Sequence, residues 1–273
     1  MSRRRALGLG ASMAGLAGVV VAGASQSARP LAGAAGTSPT PSTDPAGLQT
    51  APTPSTPAPT ASVSSTGAAS SIADAPALSD PDSISVIVNK HRPLNPSAYR
   101  PADLIQPAVT LATQGESALL RAPAAAALES LAQAAAQAGA PFRLLSGFRS
   151  YETQQSTYNA LTASEGVPSA DHASARPGYS EHQTGLAADL SDPAGCDLAA
   201  CYGQTPSGAW VAQNCYRFGF LVRYQANHQQ VTGYLAEPWH VRFLGIDLAT
   251  RVHDSGFSTL EEFFGLEPAP DYR

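Results

Sequence analysis

The sequence divides near residue 80, and that division limits what it can fold into. Between Leu31 and Leu78, 40 of 48 residues are Pro, Ala, Ser, Thr or Gly. Such a stretch offers too little apolar area to offset its conformational entropy. It reads as an extended, partly polyproline-like tether. Residues 1–24 read as an export signal. Arg3, Arg4 and Arg5 form a positive start, Ala6 to Ala22 is uncharged, and Ala22-Gly23-Ala24 has the small-x-small form of a cleavage site. Ser2-Arg3-Arg4-Arg5-Ala6-Leu7 resembles a twin-arginine signal. The expected layout is a signal at 1–24, a disordered tether at 25–80 and a folded domain at 81–273. The expected product is exported and extracellular or associated with the cell envelope, with an uncleaved signal anchor as the alternative. No other segment is long and apolar enough to span a bilayer.

Charge narrows the function classes. The chain has 16 Lys and Arg against 21 Asp and Glu, a net charge of −5. The first 80 residues hold four of the basic and three of the acidic residues, so 81–273 carries 12 against 18, or −6. A basic face that tracks phosphates is not favoured by that balance, and no nucleic-acid partner is expected.

The domain reads as alternating helices and strands. Ser83–Val88 alternates like a strand, and Lys90–Pro101 is a Pro-rich loop. Pro123–Ala138 is Ala-rich, opens on Pro and is followed by Gly139, as a helix should be. A strand is expected at Phe142–Leu145, a helix at Tyr151–Ala163, an irregular stretch at Gly166–Gly178 and a strand at Leu186–Leu190. A helix follows at Gly208–Phe218, capped by Ser207 and stopped by Gly219. Phe220–Tyr224 and Trp239–Phe243 are strands, and Ser258-Thr259-Leu260-Glu261 is a capping box for a last short helix. Strands clustered late in the chain favour an α+β fold, a small and mainly antiparallel sheet flanked by helices.

The chemistry concentrates in two segments. Ser180-Glu-His-Gln-Thr-Gly-Leu-Ala-Ala-Asp189 supplies the imidazole of His182 and the carboxylate of Asp189, and Glu237-Pro-Trp-His240 supplies a further imidazole and carboxylate. A catalytic zinc needs three N or O ligands and an open position. His182, Asp189 and His240 can fill the three, leaving Glu237 as a base. Gly185 lets the chain turn after His182, so that a strand can return Asp189 towards it. Glu237 and His240, three apart, fall on opposite faces of a regular strand, but Pro238 disfavours a regular strand and a bend there can bring both to one site. His172, His228 and His253 fit no pattern and read as surface or cap residues.

Ser180-x-His182-x-x-Gly185-x-Ala187-x-Asp189 followed by Glu237-x-x-His240 resembles the signature of the VanY-type zinc D-alanyl-D-alanine carboxypeptidases. That family shares a fold with D-Ala-D-Ala dipeptidases and the hedgehog signalling domain. Ser146-Gly147-Phe148-Arg149-Ser150-Tyr151 with Gln154, Val88-Asn89-Lys90 with Pro93-Leu94, Ser174-Ala175-Arg176-Pro177-Gly178, Arg217-Phe218-Gly219-Phe220, Arg223-Tyr224 and Thr232-Gly233-Tyr234 also match, so the resemblance runs from about Ser83 to Gly245. It implies a hedgehog/DD-peptidase-like fold and one zinc ion on His182, Asp189 and His240. It also implies Glu237 as catalytic base and Arg149 facing the substrate carbonyl, with Ser180, Gln154 and Tyr224 at the peptide. The implied substrate is a peptidoglycan stem peptide or precursor that loses its terminal D-Ala, and a monomer is expected. The same site serves an L,D-carboxypeptidase, a D,D-dipeptidase or an endopeptidase as alternatives, and a non-catalytic zinc-stabilised envelope-binding domain is the rival class. Ala236 departs from the family, where an aromatic residue commonly precedes the Glu.

Cys196, Cys201 and Cys215 lack a Cys-x-x-Cys pair, which argues against a zinc ribbon. An exported chain favours a disulfide, either Cys196–Cys201 or Cys201–Cys215.

Overall fold

The computed structural model describes residues 77–273. The expected signal at 1–24, and the expected tether up to residue 76, lie outside the described residues. Leu78 is buried, and its carbonyl accepts from the Ile87 N–H and from Arg92 Nη2, both at 2.9 Å.

The described chain is α+β, as expected. It begins with a short antiparallel ladder between β1 (Leu104–Ile105) and β2 (Leu120–Arg121). Helix α1 (Ala122–Gln137) has Pro123 in its first turn, where a missing N–H costs nothing. Ala124, Leu128, Leu131 and Ala135 recur at helical spacing and are buried, so one face of α1 enters the core. Then come β3 (Arg143–Ser146), α2 (Tyr151–Glu165), α3 (Val167–Ala173), β4 (Ala187–Ser191), α4 (Pro206–Asn214), β5 (Phe220–Tyr224), α5 (Gln229–Thr232), β6 (Glu237–Phe243), α6 (Ile246–Ser255) and α7 (Leu260–Phe263).

The main sheet runs β3-β4-β6-β5, and every neighbouring pair is antiparallel. Its register separates two chemistries. Leu144 pairs with Leu190, Ala188 with Val241, Val222 with Val241, and Phe220 with Phe243. These side chains join Leu128, Leu131 and Ala135 of α1 in the larger apolar cluster. The opposite parity carries Asp189, His240 and Arg242: Asp189 pairs with His240, and Ala187 with Arg242. A second, smaller cluster joins Leu78 and Ile87 to Leu244, Ala249, Val252, Leu260 and Phe264.

Several local expectations need correction. Ser83–Val88 is not a strand. Val86, Ile87 and Val88 are buried, but the carbonyls of Ile84 and Val86 accept from Arg242 Nη2, and that of Ile87 from Arg92 Nε. Side-chain donors replace the ladder partner that the buried backbone requires. The stretch expected to be irregular holds α3, which starts at Val167 with Pro168 in its first turn. Helix α4 is capped by Thr205, whose hydroxyl accepts from the Gly208 N–H at 3.0 Å, while Ser207 donates to Asp192 at 2.8 Å. The expected helix to Phe218 gives way to a 3₁₀ turn at Cys215–Phe218, stopped at Gly219 as expected. The last helix is capped one residue later than expected, by Thr259 with Glu262, which frees Glu261 for a buried role.

Cys196 and Cys201 form the disulfide, with Cα atoms 5.7 Å apart, and Cys215 is free and buried. No helix among the described residues is long and apolar enough to cross a membrane. Because α1 presses its apolar face on the sheet that carries Asp189 and His240, Leu128→Ala should lower unfolding stability by about 2–5 kcal/mol. Urea denaturation should show this as a lower midpoint with an unchanged slope.

Candidate metal centre and catalytic site

His182 stands on a 3₁₀ turn, Glu181–Thr184, which ends at Gly185 in the left-handed region (φ 67°). A Cβ at Gly185 would meet Arg121 and Leu104 side-chain atoms at 2.9 Å, so both the turn and its packing require glycine there. The chain then enters β4, which carries Asp189 across from His240 on β6. His182 Nε2 is 3.3 Å from Asp189 Oδ2, and His240 Nδ1 is 3.1 Å from Asp189 Oδ1. The two imidazoles meet edge to face, with ring centres 5.0 Å apart.

The bend expected at Pro238 is present. Val222 pairs with Val241, and Tyr224 with Glu237, so Pro238, Trp239 and His240 lie opposite Arg223 alone. This bulge breaks the two-residue alternation of β6. It brings Glu237 Oε2 to 3.6 Å from His240 Nδ1, although the residues are three apart.

His182, Asp189 and His240 form a buried group whose ligand atoms all lie within 4.8 Å of one another. The donor chemistry fits a metal ion. His182 Nδ1 is 2.7 Å from the Gly147 carbonyl, so this nitrogen carries the proton and Nε2 is left to coordinate. Gly147 reaches that position because it has no side chain: a Cβ there would strike the Leu119 carbonyl. Asp189 Oδ1 is buried with no hydrogen-bond partner, despite its closeness to His240 Nδ1. Either a proton or a cation must stand between those two atoms.

The electrostatics agree. Burial disfavours an imidazolium at His240, but the carboxylates of Asp189, Glu181 and Glu237 outweigh it and push the pKa up to about 10. Burial holds His182 below its ordinary value, with Arg149 adding to the effect against the attraction of Asp189. Burial works against the charge on Asp189, yet its two imidazole neighbours keep it well below the usual carboxylate range. Burial also pushes Glu237 up to about 7, against the pull of His240 and Arg149.

Arg149 approaches from the loop after β3, and its charge is felt at both His182 and Glu237. Its Nη1 donates to Gln154 Oε1 at 3.0 Å, and its Nη2 lies 3.3 Å from Ser146 Oγ. Gln154 is fully buried, and its Nε2 donates to Ser174 Oγ and to the Ala175 carbonyl. The Gln154 amide therefore ties Arg149 to the 174–175 segment, and its Oε1 retains a second lone pair beyond the one that Arg149 engages. Ser180 is buried beside Glu181. Tyr224 is buried with its ring 5.0 Å from those of His240 and Tyr234, and burial raises its hydroxyl pKa well above the ordinary value.

The sequence alone assigned no role to Glu181 or Arg242, placed Glu261 only in a helix cap, and placed Arg223 only within a matching motif. Glu181 Oε2 lies 3.1 Å from His240 Nε2, and its Oε1 accepts from Arg223 Nε at 2.9 Å and Arg242 Nη1 at 3.1 Å. Burial opposes the charge on Glu181, and the two guanidiniums overcome this and hold it well below the usual carboxylate range. One signal was present in the sequence: Arg242 shares the strand parity of His240.

Residues 117–246 match the VanY family of D-alanyl-D-alanine carboxypeptidases. The chain is 38% identical over 190 residues to YodJ of Bacillus subtilis, a protein whose carboxypeptidase name is provisional. The match covers 68% of this chain and 69% of that protein. It is 38% identical to the LdcB LD-carboxypeptidase, with a TM-score of 0.64 and coverage of 68% of this chain and 87% of that one. A variant of the vancomycin-resistance D,D-pentapeptidase VanY, from a VanB-type resistance cassette and in complex with Zn(II), is 30% identical. There the TM-score is 0.54, with 65% of this chain and 97% of that chain covered. The chain belongs to the VanY family of D-alanyl-D-alanine carboxypeptidases, and it is a peptidase.

A metal ion at this site has to displace the proton that His240 holds below a pKa of about 10. Metal affinity should therefore weaken by about tenfold for each pH unit lowered beneath that value. Chelator competition at several pH values measures this, and a flat profile would mean that His240 carries no such proton.

Proposed function

We propose that the chain is a zinc D,D-carboxypeptidase that removes the terminal D-Ala from peptidoglycan stem peptides. The observation that carries the reading is the convergence of His182, Asp189 and His240, whose ligand atoms lie within 4.8 Å of one another and include the unpartnered Asp189 Oδ1, with Glu237 and Arg149 beside them. A purely structural metal site needs neither of the last two. His182 through Nε2, Asp189, and His240 through Nδ1 would hold one zinc ion. Zinc in such a site supplies Lewis acidity, polarising the scissile carbonyl and lowering the pKa of water from about 15.7 towards about 7.

The remaining work falls to the chain's own groups. Glu237 is the general base: its carboxylate takes the proton of the attacking water and returns it to the leaving amine. Burial supports this role by bringing its pKa to about 7, where both taking and giving a proton are accessible. Arg149 stabilises the developing oxyanion. A guanidinium has five N–H donors, and the contacts to Gln154 and Ser146 engage only two of them. Gln154 holds that guanidinium in position, and Tyr224 and Ser180 shape the wall around the peptide. The ligands come from one chain, so a monomer suffices. The export signal and tether read from residues 1–80 would place the domain at the cell envelope, where this substrate is found.

A second reading, L,D-carboxypeptidase, is favoured by one observation: the similarity to the LdcB LD-carboxypeptidase exceeds that to VanY in both identity and TM-score. Both readings release D-Ala, from different peptides. The deciding assay incubates the full chain with a pentapeptide ending in D-Ala-D-Ala and with a tetrapeptide whose D-Ala follows an L-residue. Chelator-sensitive D-Ala release from the pentapeptide is expected. Release from the tetrapeptide alone would replace the first reading with the second.

Glu237→Ala should lower kcat by about 100-fold to 10⁴-fold while zinc stays bound. Near-normal turnover would remove Glu237 from the base role. Arg149→Lys should cost on the order of 100-fold in kcat, because an ammonium cannot reproduce a planar fork anchored at two points.

A further inference from the structure

We propose that Glu181 is a positioning residue that fixes His240 in one ring tautomer, with Nε2 protonated towards Glu181 and Nδ1 left free for the metal. The proposal rests on the zinc reading of the trio. Its starting point is the Glu181 Oε2 to His240 Nε2 distance of 3.1 Å, between side chains that are both almost wholly buried. With Nε2 donating to this carboxylate, only Nδ1 can offer a lone pair, and Nδ1 is the nitrogen beside Asp189 Oδ1.

What holds Glu181 in place is unusually costly to bury, and it is fully paired. Arg223 and Arg242 are both almost inaccessible to solvent. Arg223 donates through Nε to Glu181 Oε1, and through Nη1 and Nη2 to the two oxygens of Glu261 at 3.0 and 2.7 Å. Glu261 also accepts from Asn89 Nδ2 at 3.0 Å. Arg242 donates through Nη1 to Glu181 Oε1, through Nη2 to the Ile84 and Val86 carbonyls, and through Nε to the Phe243 carbonyl. Two carboxylates thus balance two guanidiniums, and the quartet carries no net charge.

A merely structural quartet would not need its remaining oxygen aimed at an imidazole. Buried ion pairs of this kind contribute little stability over apolar side chains of equal volume. The specific product of the arrangement is one oxygen, Glu181 Oε2, with both its place and its charge fixed. The mirror contact is simpler: the Gly147 carbonyl sets His182 with Nδ1 protonated and Nε2 free. The two histidines are thereby oriented oppositely, one by a neutral carbonyl and one by a carboxylate.

Two measurements on the full chain test this. The first is long-range ¹H–¹⁵N NMR of the zinc-loaded wild type with labelled histidine. It should find His240 coordinated through Nδ1 and protonated at Nε2, with His182 the reverse. Coordination of His240 through Nε2 would overturn the proposal. The second is zinc affinity by chelator competition in Glu181→Gln, whose amide presents a donor to either the guanidiniums or the imidazole. Affinity should fall by about 10- to 100-fold, with turnover recovering at excess zinc. Unchanged affinity would also overturn it. If that variant does not fold, the wild-type spectrum alone decides. Zinc that binds wild type and His182→Ala equally well would instead sink the zinc reading of the trio, and this proposal with it.

Discussion

Asp189 and His240 face each other across the β4–β6 ladder, and the rest of the site is built out from that one pairing. Strand side chains alternate between faces, so the pairing that joins these two also sends Ala188 and Val241 to the other side. There they meet α1 and the strand residues of the main apolar cluster. A slip of one residue would carry Asp189 into that cluster and expose Ala188 to the polar face. Burial of the core and assembly of the polar site are therefore one structural event. The energy of the first fixes the geometry of the second.

The polar face manages a difficult concentration of charge. Glu181 and Glu237 both stand beside His240, yet their environments drive them in opposite directions. Two buried guanidiniums keep Glu181 charged, whereas burial brings Glu237 to about 7. Separating the pKa values of neighbouring carboxylates is how a single site acquires one fixed anion and one group able to exchange a proton. The irregular β5–β6 register makes the arrangement possible. The extra residues at Pro238–His240 aim Glu237 back at the site while leaving Asp189 and His240 in register.

Much of this was legible in the sequence because the motifs are local. Gly185 two residues before Ala187 announces a turn into a strand, and the Glu237-Pro238-Trp239-His240 spacing announces a bend. The core helix α1 followed from Pro123, its alanines and Gly139. Other readings failed where distant side chains replaced local partners. Ser83–Val88 has the alternation of a strand, but Arg92 and Arg242 satisfy carbonyls that a neighbouring strand would otherwise take. The capping boundary shifted by one residue because Glu261 is held by Arg223 and Asn89, leaving Glu262 to serve the cap. Gln154 shows a contact set that no local pattern announces, to Arg149 and to the 174–175 segment.

The sequence by itself determined the class of fold and which residues are chemically able to hold a metal and move a proton. Spacing and residue type are enough for those, because they depend on the period of a strand and the donor set of a side chain. Only the tertiary structure decided that Cys196 pairs with Cys201, that Gln154 supports Arg149, and that Glu181 rather than solvent stands behind His240. Each of those depends on which atoms meet across the fold. Glu181 and His240 are 59 residues apart, and nothing in the local pattern of either reveals that two arginines and a second carboxylate would hold Glu181 against that imidazole.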